Sequence, residues 1–328
     1  MTSQDSPLFP IVRIDARACD AGPLRGAVVA IGNFDGVHRG HRTVIGAALA
    51  RARALGRKAV ALTFAPHPRA FFRPQDPLFL LSSERDRLRL LAGTGLDGAI
   101  VMRFDAALAA TSARDFVERI LIGGLGIAGA AIGFDFHFGQ NRAGSPRYLA
   151  EEGGRLGFAV DVVPPLEDEG RPISSGGIRH ALAAGKVMEA AELLGAPWFV
   201  SGEVIHGEKR GRDLGFPTAN LKLDPACGLK HGIYAVRARV GGRLVDGVAS
   251  FGRRPMFDDG APLLEVFFFD FTGDLYGQTI DVAFIGWLRR EQKFESIEAL
   301  QGQMGADAAQ AHDVLARAPN AFPALNDV

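Results

Sequence analysis

The sequence predicts an α/β chain in two parts: a helix-covered parallel sheet, then an antiparallel barrel or sandwich that ends in a helix. Two observations carry that expectation. Over the first half, short apolar runs alternate with segments of helical spacing, and from Phe199 onward the pattern becomes period-two alternation bounded by Gly, Pro or Asp. The chain has 328 residues, 47% of them hydrophobic. That suits roughly two domains of about 150 residues, each able to bury a core.

In the first half, apolar runs at 27–31, 59–64, 99–104, 130–133 and 158–163 read as buried strands. Segments 42–55 and 85–91 between them have helical spacing. Ser83 with Asp86, and Ser112 with Asp115, fit the capping-box pattern at two helix starts. Buried strands separated by helices imply a parallel sheet covered on both faces, whose ligands bind at the carboxyl ends of the strands. In the second half, "GIYAVRARV", "RLVDGVASFG", "LLEVFFFDF" and "QTIDVAFIG" read as antiparallel strands. Tyr234, Val236, Ala238 and Val240 are expected to face inward, and Arg237 and Arg239 to face water. Residues 296–316 read as a helix closing one end. The character changes near "LLGAPWFVSGEV", which places the domains at 1–188 and 189–328.

Lys+Arg and Asp+Glu each number 37, so no net charge draws the chain to nucleic acid or to an anionic membrane. Cys19 and Cys227 stand far apart without C-x-x-C spacing, which suggests neither a disulfide framework nor a zinc site. The first ten residues have no basic stretch followed by an apolar one. The uncharged run 120–134 is glycine-rich and shorter than the ~20 residues of a membrane span. A soluble, cytoplasmic protein is expected, with no nucleic-acid or membrane partner.

The segment "AIGNFDGVHRGHRTVI" joins the first strong strand to a helix through a glycine-rich turn with His38 and His41 three apart. It has neither the dinucleotide fingerprint nor the P-loop pattern. A metal pair lacks a third ligand nearby, and a structural role in the turn stays open. The functional reading is that both rings donate to phosphate oxygens beside the helix N-terminus. Gly32, Gly36 and Gly40 let the backbone come close. A second helix start, "ISSGGIRHAL", offers Ser174 or Ser175 as a cap and Arg179 as a phosphate clamp. In "GFDFHFGQNRAGS", Phe134, Phe136 and Phe138 are expected in the core, and Asp135, Asn141 and Arg142 are ligand candidates.

"HGEKRGRDLGFPTANL" reads as a flexible basic loop followed by Thr218 and Asn220 on one side of an extended chain. That pairing of hydroxyl and amide oxygen suits Mg²⁺. Glu265 lies in an apolar strand with Leu263, Phe267 and Phe269 on its own side. Those surroundings would raise its pKa and improve it as a base.

Taken together, "GNFDGVHRGH", "TFAPHP", "FDFHFG" and the late "ISS…IR" resemble the adenylyltransferase module of prokaryotic bifunctional riboflavin kinase/FAD synthetases. "GFPTAN", "GIYAV" and "LLEVFFFDFTGDLYG" resemble the riboflavin kinase module of the same family. The resemblance covers nearly the whole chain. It implies a Rossmann-like nucleotidyltransferase domain, then a small antiparallel β-barrel kinase. The implied chemistry makes FMN from riboflavin and ATP, then FAD from FMN and ATP, with Mg²⁺ as cofactor. Riboflavin, FMN, FAD and ATP would be its partners. By position, His38, His41 and Arg179 would act on the ATP phosphates, together with Gly32, Asn33, Phe34, Asp35, Gly36, Gly40, Ser174 and Ser175. On the kinase side Gly207, Lys209, Arg212, Gly215 and Pro217 would bind nucleotide, Thr218 and Asn220 the metal, and Glu265 would be the base. Asp135, Asn141, Arg142 and Arg254 are the flavin candidates. The family's I-S-S-T-x-I-R has Gly176 and Gly177 here in place of T-x, removing one hydroxyl. Its N-x-G-T-R-P-T-F reads "SFGRRPMF", differing at Ser250, Arg253 and Met256. Two other readings stand beside this one: a kinase with a weakened adenylyltransferase half, and a non-catalytic flavin binder.

Overall fold

The computed structural model describes residues 9–206, 218–253, 262–318 and 322–328. The chain forms two compact units. The first holds Met1–Leu78, Ser83–Ser174 and Ala324–Val328; the second holds Phe79–Ser82 and Ser175–Pro323.

In the first unit the strands are β1 (Ile11–Ile14), β2 (Val28–Ile31), β3 (Ala59–Ala65), β4 (Gly98–Arg103), β5 (Gly129–Gly133) and β6 (Ala159–Val163). All six are parallel, in the order β1-β4-β3-β2-β5-β6. Successive strands run outward from β2 in one direction and from β5 in the other, so the order reverses between β2 and β5. A crevice at their carboxyl ends is where such a sheet receives a ligand. The strands β2 to β5 are almost wholly buried, as the apolar runs require. Each buried Val, Ile or Leu contributes about 1.5–3 kcal/mol.

The helices of this unit are α1 (Arg39–Leu55), α2 (Pro68–Phe72), α3 (Glu84–Ala92), α4 (Ala106–Ala109), α5 (Ala113–Asp115) and α6 (Pro146–Leu156). A wider helical turn, Phe116–Gly124, continues α5. α1 buries Val44, Ile45, Ala48 and Ala52 and stops at Gly56, whose φ of 60° ends the helix. Both serines cap their helices. The Ser83 hydroxyl accepts from the Asp86 amide at 3.0 Å, and the Ser112 hydroxyl from the Asp115 amide at 3.0 Å. A small hairpin, β7 (Glu167–Asp168) with β8 (Arg171–Pro172), follows β6. Ala324–Val328 returns to the last turn of α3, where the Asn326 side-chain amide donates to the Ala92 carbonyl at 3.1 Å.

The second unit opens with α7 (Ser175–Ala183) and α8 (Val187–Leu194). The strands β9 (Phe199–Ile205), β10 (Thr218–Lys222), β11 (Gly232–Val240), β12 (Arg243–Arg253), β13 (Pro262–Phe268) and β14 (Thr279–Arg289) follow. They close an antiparallel barrel in the order β10-β13-β12-β11-β14-β9. Tyr234, Val236, Ala238 and Val240 point into its core with Leu221, Leu264, Val266, Phe251 and Phe284. α9 (Ile297–Arg317), capped by Ser296, lies along β11, β12 and β14. It covers the outer wall there, with Val314 packed on Gly286.

That wall overturns one expectation. Arg237 does not face water: it is 4% exposed. It forms a two-pronged pair with Asp246, its cross-strand neighbour, at 2.6 and 3.1 Å. A strand alternation shows which residues leave the core, but not whether another element lies over them. Arg239 is also covered, with its guanidinium 4.6 Å from the Phe322 ring centroid.

The contacts assign α7 and α8 to the barrel unit, because Ile178, Ala181, Leu182, Val187, Ala190 and Leu194 pack into its core. A fragment of residues 190–328 discards four of those six side chains, whereas 175–328 keeps them all. The shorter fragment is therefore expected to melt about 10 °C or more below the longer. Thermal unfolding followed by circular dichroism checks this, and equal melting points would show that α7 gives the barrel no support.

Candidate active site

Residues 32–38 leave the carboxyl end of β2 and turn into α1. Phe34, Gly36 and Val37 take left-handed backbone angles, with φ of 52°, 80° and 44°. Such angles cost a non-glycine residue about 1–3 kcal/mol and persist only where the surroundings hold them. Here Phe34 and Val37 are 1% and 0% exposed. The Val37 amide donates to the Phe34 carbonyl at 3.1 Å. The Asn33 carbonyl accepts from the Thr63 hydroxyl at 3.1 Å and from the Arg87 guanidinium at 3.2 Å. Asp35 is buried beside them.

His38 is the N-cap of α1: its Nδ1 accepts from the His41 backbone amide at 3.2 Å. That bond places the proton of a neutral His38 ring on Nε2. The two imidazoles stack at 3.6 Å with 18° between their planes, and Phe34 meets His41 edge-on at 5.3 Å. Burial, then the charges of His38 and Arg87, hold His41 well below the usual histidine range, so it is neutral near pH 7. Its Nδ1 is buried without a hydrogen-bond partner among the described residues. No group of three or more His, Cys, Asp or Glu among the described residues could hold a metal. An imidazole carries at least one N–H, so each ring can donate a hydrogen bond.

The first residue of the second motif, Ile173, lies beside the histidine turn. A side chain at Gly40 would lie 3.2 Å from the His38 ring and 3.4 Å from the Ile173 carbonyl, so the glycine lets that segment close in. Arg39 pairs with Asp168 of the β7–β8 hairpin at 3.1 Å. Gly32 and Gly36 share the turn with Asn33, Phe34 and Asp35. Ser174 stands just before α7 and Ser175 opens it. Arg179 lies on α7 in the second unit, where its Nε donates to the Phe79 carbonyl.

At the end of β5, Phe138 is buried and Phe136 stacks on it at 5.5 Å. Phe134 is 47% exposed, contrary to the core role expected of it. The chain turns at residues 134 and 135 instead of running on extended, so the assumed alternation fails there. Asp135, Asn141 and Arg142 are exposed, the last two with φ of 56° and 58°. An aromatic cluster escaped the sequence reading. Phe71 and Phe72 of α2 pack with Phe104, just after β4, at centroid distances of 5.3–5.6 Å, and Phe72 is 63% exposed. The pair "FF" between arginines follows neither period and left no signal.

In the barrel, the register sets Asn220 of β10 opposite Glu265 of β13, and Glu265 opposite Ser250 of β12. Directly opposed residues have Cβ atoms about 4.5–5.5 Å apart on one face of the sheet. Asn220 is 4% exposed, and its side-chain amide donates to the Thr218 carbonyl at 3.3 Å. Glu265 is half-buried on the face opposite Leu264 and Val266. Gly207, Lys209, Arg212, Gly215, Pro217 and Arg254, with Met256, lie outside the described residues.

A family model described as FAD synthetase matches residues 21–177, and one described as riboflavin kinase matches 194–315. A bifunctional riboflavin kinase/FMN adenylyltransferase of Pseudomonas fluorescens is 41% identical over 89% of this chain and 94% of that protein. Its namesakes from Escherichia coli K12 and Bacillus subtilis are each 36% identical, over 89% and 87% of this chain and 93% and 91% of theirs. A crystal structure from Streptococcus pneumoniae, described as a macrolide-efflux protein, superposes with a TM-score of 0.83 at 32% identity. It covers 94% of this chain and 99% of that one. No described helix of the present chain is long and apolar enough to cross a membrane. With a parallel-sheet unit, a closed barrel and relatives that match both along their length, the chain belongs to the bifunctional riboflavin kinase/FMN adenylyltransferase family.

Proposed function

We propose that this chain carries the residues for two consecutive reactions. Riboflavin is phosphorylated to FMN, and FMN is adenylylated to FAD with release of pyrophosphate. ATP is the co-substrate of both, and the work is divided between residues 1–188 and 189–328. The observation that carries the residue assignment is the stacked His38–His41 pair at the start of α1, at the end of a central parallel strand. We place the enzyme in the cytoplasm, acting on these small molecules alone.

In adenylyl transfer the FMN phosphate attacks the α-phosphorus of ATP. That nucleophile is already anionic, so the site needs orientation and charge stabilisation rather than a base. His38 through Nε2, the neutral His41 ring, the α1 N-terminus and Ser174, Ser175 and Arg179 supply donors to the phosphate oxygens. Asp135, Asn141 and Arg142 are assigned to the flavin, and the exposed Phe71 and Phe72 rings are an apolar surface it could use.

In the kinase step the riboflavin 5′-hydroxyl must lose its proton as it attacks the γ-phosphorus. Glu265 accepts that proton. Thr218 and Asn220 fit a magnesium ion: both carry hard oxygens, and the Asn220 amide group bonded to the Thr218 carbonyl turns its own oxygen the other way. When bound, the ion neutralises charge on the nucleotide phosphates. Gly207, Lys209, Arg212, Gly215 and Pro217 are assigned to the nucleotide and Arg254 to the flavin.

Three substitutions test the assignments. His41→Ala is expected to slow FAD formation about 100- to 1,000-fold while FMN accumulates; equal loss of both activities in a folded protein would refute the division of labour. Asn220→Leu should slow the kinase in a way that raised Mg²⁺ partly restores, and a magnesium titration showing no difference from wild type removes the metal role. Glu265→Gln keeps the shape but cannot take a proton. It should lose roughly 10²–10⁴-fold in kinase turnover, yet make FAD from supplied FMN at nearly the normal rate. Flavin chromatography over time reads both steps.

A further inference from the structure

We infer that Arg87 is a positioning residue of the adenylyl-transfer site: together with Thr63 it clamps the Asn33 carbonyl and so fixes where the histidine turn presents its donors. The inference rests on reading that turn as the phosphate-binding element.

Arg87 lies on α3 and is 4% exposed. One arm of its guanidinium donates to the Asn33 carbonyl at 3.2 Å, the other to the Phe64 carbonyl at 3.0 Å. Asn33 lies two residues beyond β2 and Phe64 is the next-to-last residue of β3. The side chain therefore ties the carboxyl ends of two neighbouring strands. With the Thr63 hydroxyl also on it, the Asn33 carbonyl has both lone pairs engaged and its peptide plane is held. The next residue is Phe34, the first of the left-handed positions, whose ring packs on His41. Fixing one peptide plane thus propagates through Phe34 to the imidazoles.

The charge matters as well. Asp35 is a 2% exposed carboxylate within the turn, and it attracts Arg87. Left alone, that anion would repel a polyphosphate at the same turn. Packing α3 alone does not call for a cation here, because a buried charge carries a desolvation cost that an apolar residue of similar size avoids. Lysine could not replace it fully: only the planar fork reaches two carbonyls at once.

The test uses the full chain and measures KM for pyrophosphate in the reverse reaction, FAD plus pyrophosphate, and KM for ATP in the forward one. Thermal melts establish folding. Arg87→Lys is expected to raise both KM values about tenfold, and Thr63→Val, which removes one neutral hydrogen bond, up to about fivefold. Loss of folded protein lowers apparent kcat but leaves KM alone, so a KM change separates positioning from mere support. Arg87→Met removes charge and donors together and should be the most affected; if it does not fold, the other two variants decide. His41→Ala runs in parallel. If it has wild-type kinetics, the reading of the turn fails. If it is impaired while Arg87→Lys and Thr63→Val keep wild-type KM values, the positioning role alone is overturned.

Discussion

The handover from β2 to α1 is the constraint on which the first unit is built. A strand in the middle of a parallel sheet must become a helix within seven residues. Only left-handed backbone at Phe34, Gly36 and Val37 makes that turn, and two of the three are residues that disfavour it. Their burial, and the carbonyl held by Thr63 and Arg87, keep the conformation. The stacked histidines follow from it, since His38 can cap α1 only when the chain arrives from that direction.

The barrel solves its own placement problem by register rather than by backbone strain. Asn220, Glu265 and Ser250 form a row across three strands because the strands pair as they do. A slip of one residue in β13 would send Glu265 into the apolar interior and Leu264 out of it, which the core of Val266, Phe268 and Phe251 forbids. The same core that stabilises the barrel therefore fixes the position of the carboxylate.

Much of this was legible in the sequence, for reasons that can be named. The parallel strands are continuous apolar runs, the capping boxes carry their own hydrogen-bond logic, and the histidine turn has glycines where the chain must bend. What escaped was tertiary. Arg237 alternates as a solvent-facing residue should, but it is buried and paired with Asp246 of the neighbouring strand. In "ERDRLRLLA" the arginines look like the wet face of a helix, whereas Arg87 and Arg89 are both buried, Arg89 against Asp86 at 3.2 Å. The basic pattern marks a charge without saying what it faces. Phe134 failed because a period-two reading was carried past the end of β5 into a turn.

The four residues Phe79–Ser82 belong to the barrel unit although the chain on either side of them belongs to the other. Phe79 packs edge-on to Trp198 at 5.7 Å, and the Trp198 indole donates to the Leu81 carbonyl 117 positions earlier. Translation at about 5–20 residues per second separates those partners by roughly 6–23 s. Through that interval two large apolar side chains wait on the nascent chain with nothing of their own unit to cover them. That apolar segment lies inside sequence that otherwise reads as part of the first domain.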